Sequence, residues 1–238
     1  TSLLVLLALQ FSYSQEGNNA WTKYGPNMGR IYCGVLNPVN QSIIYVAGLD
    51  SGVFKTTNGG LNWVAVNNGL TSKRIQCIAI APSDPNVLYV GTDTLGTAGT
   101  NGVYKTTNGG NNWALVIGGL TEFAVQSMVV HTTNPNTVWA CIFNAIGPAI
   151  NGLWKTTNGG TNWFASNTGI ASDNKNALAI AINPLNPNVL YVGTSLIVPG
   201  STGPSKIYKT YDGGANWNLM STGLPTLTTD NNPVRCID

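Results

Sequence analysis

The sequence predicts an all-β fold, a β-propeller of four-stranded antiparallel blades, on three observations. A twelve-residue phrase recurs as GVFKTTNGGLNW (Gly52–Trp63), GVYKTTNGGNNW (Gly102–Trp113), GLWKTTNGGTNW (Gly152–Trp163) and, more loosely, KIYKTYDGGANW (Lys206–Trp217). The tryptophans that close it, Trp63, Trp113, Trp163 and Trp217, lie 50, 50 and 54 residues apart. A period near 50 with several short strands per repeat marks a propeller rather than a helical solenoid. No stretch sustains the apolar period of an amphipathic helix, so no long helix is expected.

Each repeat supplies four strands. In the second they are RIQCIAIA (Arg74–Ala81), VLYVGT (Val87–Thr92), GVYKT (Gly102–Thr106) and NWALV (Asn112–Val116). The first two are near-continuous runs of Val, Ile, Leu, Ala and Tyr, as strands covered on both faces should be. PSDPN (Pro82–Asn86) turns one into the other. The first strand recurs as Arg30–Val35, Val125–His131 and Ala177–Asn183, and the second as Ile43–Gly48, Thr137–Ile142 and Val189–Thr194. Blades therefore span roughly residues 30–70, 74–120, 124–170 and 176–224.

The ends carry different signals. Residues 1–14, with the apolar run Leu3–Leu9 and small residues at Ser12 and Ser14, read as the remnant of a secretory signal peptide, and the propeller as residues 15–238. That run is too short to span a bilayer. WTKYGPNMG (Trp21–Gly29) reads as the outer strand of a closing blade, and VRCID (Val234–Asp238) as the opening of another. The reading is thus a fragment of four full blades plus two partial ones, with further blades of the same chain as partners.

Inside the phrase every group has a structural task. Asn108 bonds to nearby backbone amides. Gly109 and Gly110 permit positive φ. Trp113 covers the hairpin with a large apolar face, and its indole N–H needs one acceptor. The repeated lysines, Lys55, Lys105, Lys155 and Lys209, read as solvated strand residues.

The pattern Ser/Thr-x-Asp/Asn-x-Gly-x-x-Trp resembles the Asp-box, or BNR, repeat. It is carried by Thr56, Asn58, Gly60 and Trp63; by Thr106, Asn108, Gly110 and Trp113; by Thr156, Asn158, Gly160 and Trp163; and by Thr210, Asp212, Gly214 and Trp217. Three of the boxes use Asn where the family's namesake is Asp. The resemblance is to the sortilin-like and xyloglucanase-type glycoside hydrolase-like group, in which the boxes lie on the edge remote from the ligand. It also extends to surface proteins of gliding or gut Bacteroidetes. It implies that the loudest motif is scaffold, and that function sits on the opposite rim.

Composition narrows the choice. Of 238 residues, 43% are hydrophobic and only 8% charged, against roughly a quarter charged in average globular proteins. Asn, Thr, Ser and Gly supply the polarity instead, which fits an extracellular all-β protein. The formal charge of +2 offers no basic stripe, so no nucleic-acid partner is expected. Cys33 and Cys77 share one strand register with Cys236, and Ser127 and Ala179 fill it elsewhere. A position that takes Cys, Ser or Ala asks for a small buried group, so these three thiols and Cys141 are expected to be free and buried. No cofactor or metal site is expected, and the lone histidine, His131, reads as structural.

Strands alternate in direction, so the boxes and the Asn/Pro turns share one face, and the variable loops and inter-blade links share the other. A constant scaffold with variable loops on one rim is how binding surfaces are commonly made. The candidate binding-face residues are Arg30, Arg74, Phe143 and Asn144. A glycosidase needs two carboxylates about 5–10 Å apart, and Asp50 and Asp93 are the first candidates, ahead of Glu122, Asp173 and Asp230. Asp50, in IYVAGLDSGVF, lies in a setting similar to that of a catalytic Asp in xyloglucanase-type enzymes, displaced by one residue and without the second Gly. A sialidase would need an arginine triad, and the chain has only Arg30, Arg74 and Arg235. The expected function is a secreted or cell-surface, non-catalytic binding or scaffold module for polysaccharide or protein ligands. The alternative is a glycoside hydrolase.

Overall fold

The computed structural model describes residues 25–26, 29–93, 101–118, 120, 123–143, 151–172, 176–195 and 205–220. Residues 1–14, most of the closing strand, residues 234–238, Asn144, Glu122, Asp173, Asp230, Arg235 and Cys236 lie outside them.

Four antiparallel meanders make up the described chain. The first holds β1 (Ile31–Leu36), β2 (Ile44–Gly48), β3 (Gly52–Thr56) and β4 (Val64–Ala65). The second holds β5 (Ile75–Ala81), β6 (Asp84–Thr92), β7 (Val103–Thr106) and β8 (Ala114–Leu115). The third holds β9 (Ala124–Val130), β10 (Val138–Phe143), β11 (Gly152–Thr156) and β12 (Phe164–Ala165). The fourth holds β13 (Asn176–Ile182), β14 (Leu190–Ser195), β15 (Ile207–Thr210) and β16 (Asn218–Leu219). This is the all-β fold of four-stranded blades that the repeat predicts. Among the described residues no helix is long and apolar enough to cross a membrane.

The first strands pack side by side, β1 on β5, β5 on β9 and β9 on β13, so they are the inner strands around a shared axis. The core lies between blades. One cluster joins Tyr45, Val53 and Leu70 to Ile75, Leu88 and Trp113; a second joins the next pair of blades through Tyr89, Phe123, Met128 and Trp163. A third joins Trp139 and Leu153 to Leu190, Tyr208 and Trp217. The runs on β5 and β6 are apolar because each faces a neighbouring blade on either side. β1 departs from that expectation: Ile31 and Tyr32 are exposed, at 41% and 42%. No described blade precedes it to cover its outer face.

The repeated hairpin also ties back to the first half of its own blade. Gly59, Gly109, Gly159 and Gly213 donate their N–H groups to the carbonyls of Ser42, Asn86, Asn136 and Asn188, at or beside the turns between first and second strands, at 2.8–2.9 Å. The two sets of turns therefore share one face, here the hairpin face. Within the hairpin the Thr106 hydroxyl donates to Asn108 Oδ1 and accepts from the N–H groups of Asn108 and Gly110. Asn108 Oδ1 also accepts from Asn112 N at 2.9 Å. Asp212 Oδ1 accepts the corresponding pair of bonds from Thr210 and Asn216 N. Only the side-chain oxygen is required, so Asn serves as well as Asp. Asp212 adds a bond from Asn216 Nδ2, and these donors hold its carboxyl well below the usual range.

The lysines require a correction. Lys55 and Lys155 donate to the Gly109 and Gly213 carbonyls of the next blade, at 3.1 and 2.9 Å, and Lys105 donates to Asn136 Oδ1 at 2.7 Å. Each also lies over an aromatic ring of its own blade, those of Tyr45, Trp139 and Tyr89. They are inter-blade ties, and burial lowers the pKa of Lys105 and Lys155. An alternating strand pattern cannot show this, because the acceptor belongs to the following repeat.

Cys33, Cys77 and Cys141 are free. Cys33, Cys77, Ser127 and Ala179 do share a register, opposite Ala47, Gly91, Cys141 and Gly193. Cys77 and Cys141 are buried as expected, and Cys33 is half-buried. Burial pushes the Cys77 thiol up to about 12. The unfolded chain releases that proton near 9.0, so the contribution is fully present below 9.0 and is lost as pH rises toward about 12. The fall is at most about 1.4 kcal/mol per pH unit for one thiol. Urea titrations at about pH 9 and about pH 11 should therefore show a smaller alkaline loss for Cys77→Ala than for the parent. An unchanged loss would assign it to other groups.

Candidate functional site

The face opposite the hairpins carries the loops between second and third strands and the links between blades. There the fold brings together three of the residues singled out from sequence. Asp50 lies in the β2–β3 loop, Arg74 in the link entering β5, and Asp93 just past β6. Arg74 Nη1 donates to Asp50 Oδ1 at 2.8 Å and Arg74 Nη2 to Asp93 Oδ2 at 3.3 Å. One guanidinium therefore bridges two carboxylates on adjacent blades.

Local structure fixes this bridge. Asp50 is the only non-glycine residue at positive φ, 64°, among those described, a conformation that Asp tolerates better than most side chains. The Asp93 N–H donates to the Arg74 carbonyl at 3.0 Å, extending the β5–β6 ladder by one bond. Side-chain exposure is 64% for Asp50 against 20% for Arg74 and 17% for Asp93. Asp50 is thus the member most open to solvent. The Arg74 Nε–H is buried without a partner among the described residues.

The other candidates are not drawn into this cluster. Arg30 is exposed ahead of β1, and Phe143 is half-buried at the end of β10, paired across the ladder with Ala124. His131 stacks on Trp139 with ring centroids 6.1 Å apart, and its Nδ1 accepts from Thr133 N at 3.2 Å. Only four described carboxylates exist: Asp50, Asp84, Asp93 and Asp212. Asp84 and Asp212 cap turns on the hairpin face. Among the described residues Asp50 and Asp93 are therefore the acidic pair of the loop face, and the Arg74 guanidinium bonds to both. Sequence reasoning named all three residues without joining them. Their spacing in sequence, 24 and 19 residues from Arg74, gives no local cue.

An apolar cavity of about 490 Å³ opens along the axis, lined by Val35, Leu36, Ile78, Ile80, Met128 and Ile182 among others. These residues come from all four inner strands, near the ends that lead into the hairpin-face turns.

No family profile matches the sequence, and no curated protein matches it. Solved structures do. An ancestral GH74 enzyme is 26% identical over 87% of this chain and 27% of its own, with a TM-score of 0.69. The GH74 xyloglucanase from Xanthomonas campestris is 19% identical over 82% and 30%, with a TM-score of 0.61. An auxiliary nutrient binding protein from Bacteroides thetaiotaomicron is 12% identical over 79% and 41%, with a TM-score of 0.54. The last two resemblances are of fold alone. The chain matches less than a third of the length of these GH74 enzymes.

Proposed function

We propose that this chain is an Asp-box β-propeller, secreted or displayed at the cell surface, that binds a polysaccharide on its loop face without cleaving it. The observation that carries this reading is the Asp50–Arg74–Asp93 bridge. Glycoside hydrolysis needs two carboxylates with the scissile bond between them. Here a guanidinium lies between the two and donates to one oxygen of each. The same charged, hydrogen-bonding cluster suits recognition of a hydroxyl-rich chain. It offers N–H donors and carboxylate acceptors on a rim that the rigid hairpin scaffold leaves open.

Similarity to an ancestral GH74 enzyme supports a second reading, in which Asp50 is one catalytic carboxylate and its partner lies outside the described residues. One experiment separates the two. Affinity electrophoresis in xyloglucan and soluble β-glucans, alongside an assay for released reducing ends, would be run on the parent chain, Arg74→Met and Asp50→Asn. Retardation in at least one polysaccharide, lost in Arg74→Met, with no reducing ends released, is the expected result. Reducing ends released by the parent and not by Asp50→Asn would establish the hydrolase instead.

A further inference from the structure

All four described inner strands carry an irregularity at the same place. The register between inner and second strand skips one residue between Ile31 and Cys33, between Ile75 and Cys77, between Val125 and Ser127, and between Ala177 and Ala179. The extra residue, with no partner across the ladder, is Tyr32, Gln76, Gln126 or Leu178. Each bulge lies near the start of its strand, at the loop-face end, while the apolar axial cavity lies toward the other end of the same strands.

Exposure changes sharply at the second and fourth bulges, while Gln126 opens a half-exposed pair with Ser127 and Tyr32 is exposed together with Ile31. Ile75 and Cys77 are buried, at 0% and 8%, whereas Gln76 between them is half-exposed. Leu178 is half-exposed between Ala177 at 1% and Ala179 at 4%, and Gln126 is half-exposed after Val125 at 0%. Bulges re-aim side chains and are enriched beside functional sites. Packing closes tightly behind one of them. The Cys77 thiol donates to the Val125 carbonyl at 3.3 Å, and a Cβ on Gly91 would lie 2.5 Å from Val125 Cβ. The layer between blades thus leaves little space at that point. Neither the Gln76 nor the Gln126 side chain has a hydrogen-bond partner among the described residues.

We propose that the bulges turn Tyr32, Gln76 and Gln126 toward the axial mouth on the loop face, where they form a polar and aromatic subsite for a sugar residue. The bridge residue Arg74 stands two positions before Gln76, so the subsite adjoins the bridge and continues its surface toward the axis. A primary amide carries two donor hydrogens and an acceptor oxygen, which matches neighbouring hydroxyls on one pyranose ring. A tyrosine ring supplies a flat apolar face ending in a polar hydroxyl. Leu178 closes the fourth side with an apolar contact. The inference rests on the polysaccharide-binding reading above and names residues that reading does not use.

The test uses the same gels, with the polysaccharide that retards the parent most. Combined Gln76→Ala and Gln126→Ala is expected to weaken retardation about tenfold, as for loss of a few neutral hydrogen bonds. Tyr32→Ala is expected to weaken it and Tyr32→Phe to restore it, and neither should disturb folding, since Tyr32 is already exposed. Melting temperatures measured in parallel separate lost contacts from lost structure. Unchanged retardation in the double variant and in Tyr32→Ala, while Arg74→Met abolishes it, overturns the subsite and leaves the polysaccharide reading standing. A parent that binds no polysaccharide overturns both.

Discussion

Replacing Trp113 with alanine is expected to cost about 3–5 kcal/mol of folding stability, the range for deleting a buried large aromatic. Trp113 is 5% exposed and sits in the cluster between the first two blades with Tyr45, Leu70 and Tyr104. Its indole N–H donates to the Val66 carbonyl of the preceding blade at 2.8 Å, and its backbone N–H donates to the Asn68 carbonyl at 2.9 Å. The substitution opens a cavity and strands the Val66 carbonyl at once. The melting temperature should fall by roughly 10 °C at this chain length. Trp217→Ala provides the comparison. Its indole N–H is buried without a partner among the described residues, unlike those of Trp113 and Trp163, which donate to the Val66 and Val116 carbonyls. Its loss should lie at the low end of the range. A cost below about 1 kcal/mol for Trp113→Ala would show that the blades do not depend on this side chain for their contact.

Gly69→Ala should cost about 3 kcal/mol. Gly69 has φ +85°, where an L side chain is strained by about 1–2 kcal/mol. Here the environment adds to that strain. A Cβ at Gly69 would lie 2.1 Å from the Trp113 carbonyl oxygen and 3.1 Å from its carbonyl carbon, both backbone atoms of the next blade. Backbone cannot turn aside as a side chain can, so blade spacing must open, adding the usual 1–3 kcal/mol or so of overpacking. Gly59→Ala is the control. It also has positive φ, +69°, but nothing lies within 4 Å of the added methyl. Chemical denaturation of both variants separates conformational strain from the clash. Equal costs would mean that the blade contact at Gly69 yields freely.

The two glycines show what could be read from the chain alone. Gly59 stands where Gly109 does in the repeated phrase, a position that reads as needing positive φ, whereas the positive φ of Gly69 emerges only in the structure. Which of them touches another blade is invisible in sequence, because the partner, Trp113, lies in the following repeat. The repeated lysines went the same way. Lys55 looks like a solvated strand residue in its own hairpin and becomes a tie once Gly109 is placed beside it.

The sequence by itself determined the periodic part of this protein: the all-β class, the four-stranded unit and the turns. It also determined the shared register of Cys33, Cys77, Ser127 and Ala179. Each of these follows from short-range physics, from side-chain alternation, turn chemistry and the spacing of like residues along one strand. Tertiary structure decided everything that depends on which blade meets which. It made Arg74 the bridge between Asp50 and Asp93 and turned three lysines into ties. It also placed a bulge near the start of each described inner strand, where the ladder skips a residue. The reason is physical: a propeller is held together between repeats, and the distance between two repeats in space is set by packing rather than by position along the chain.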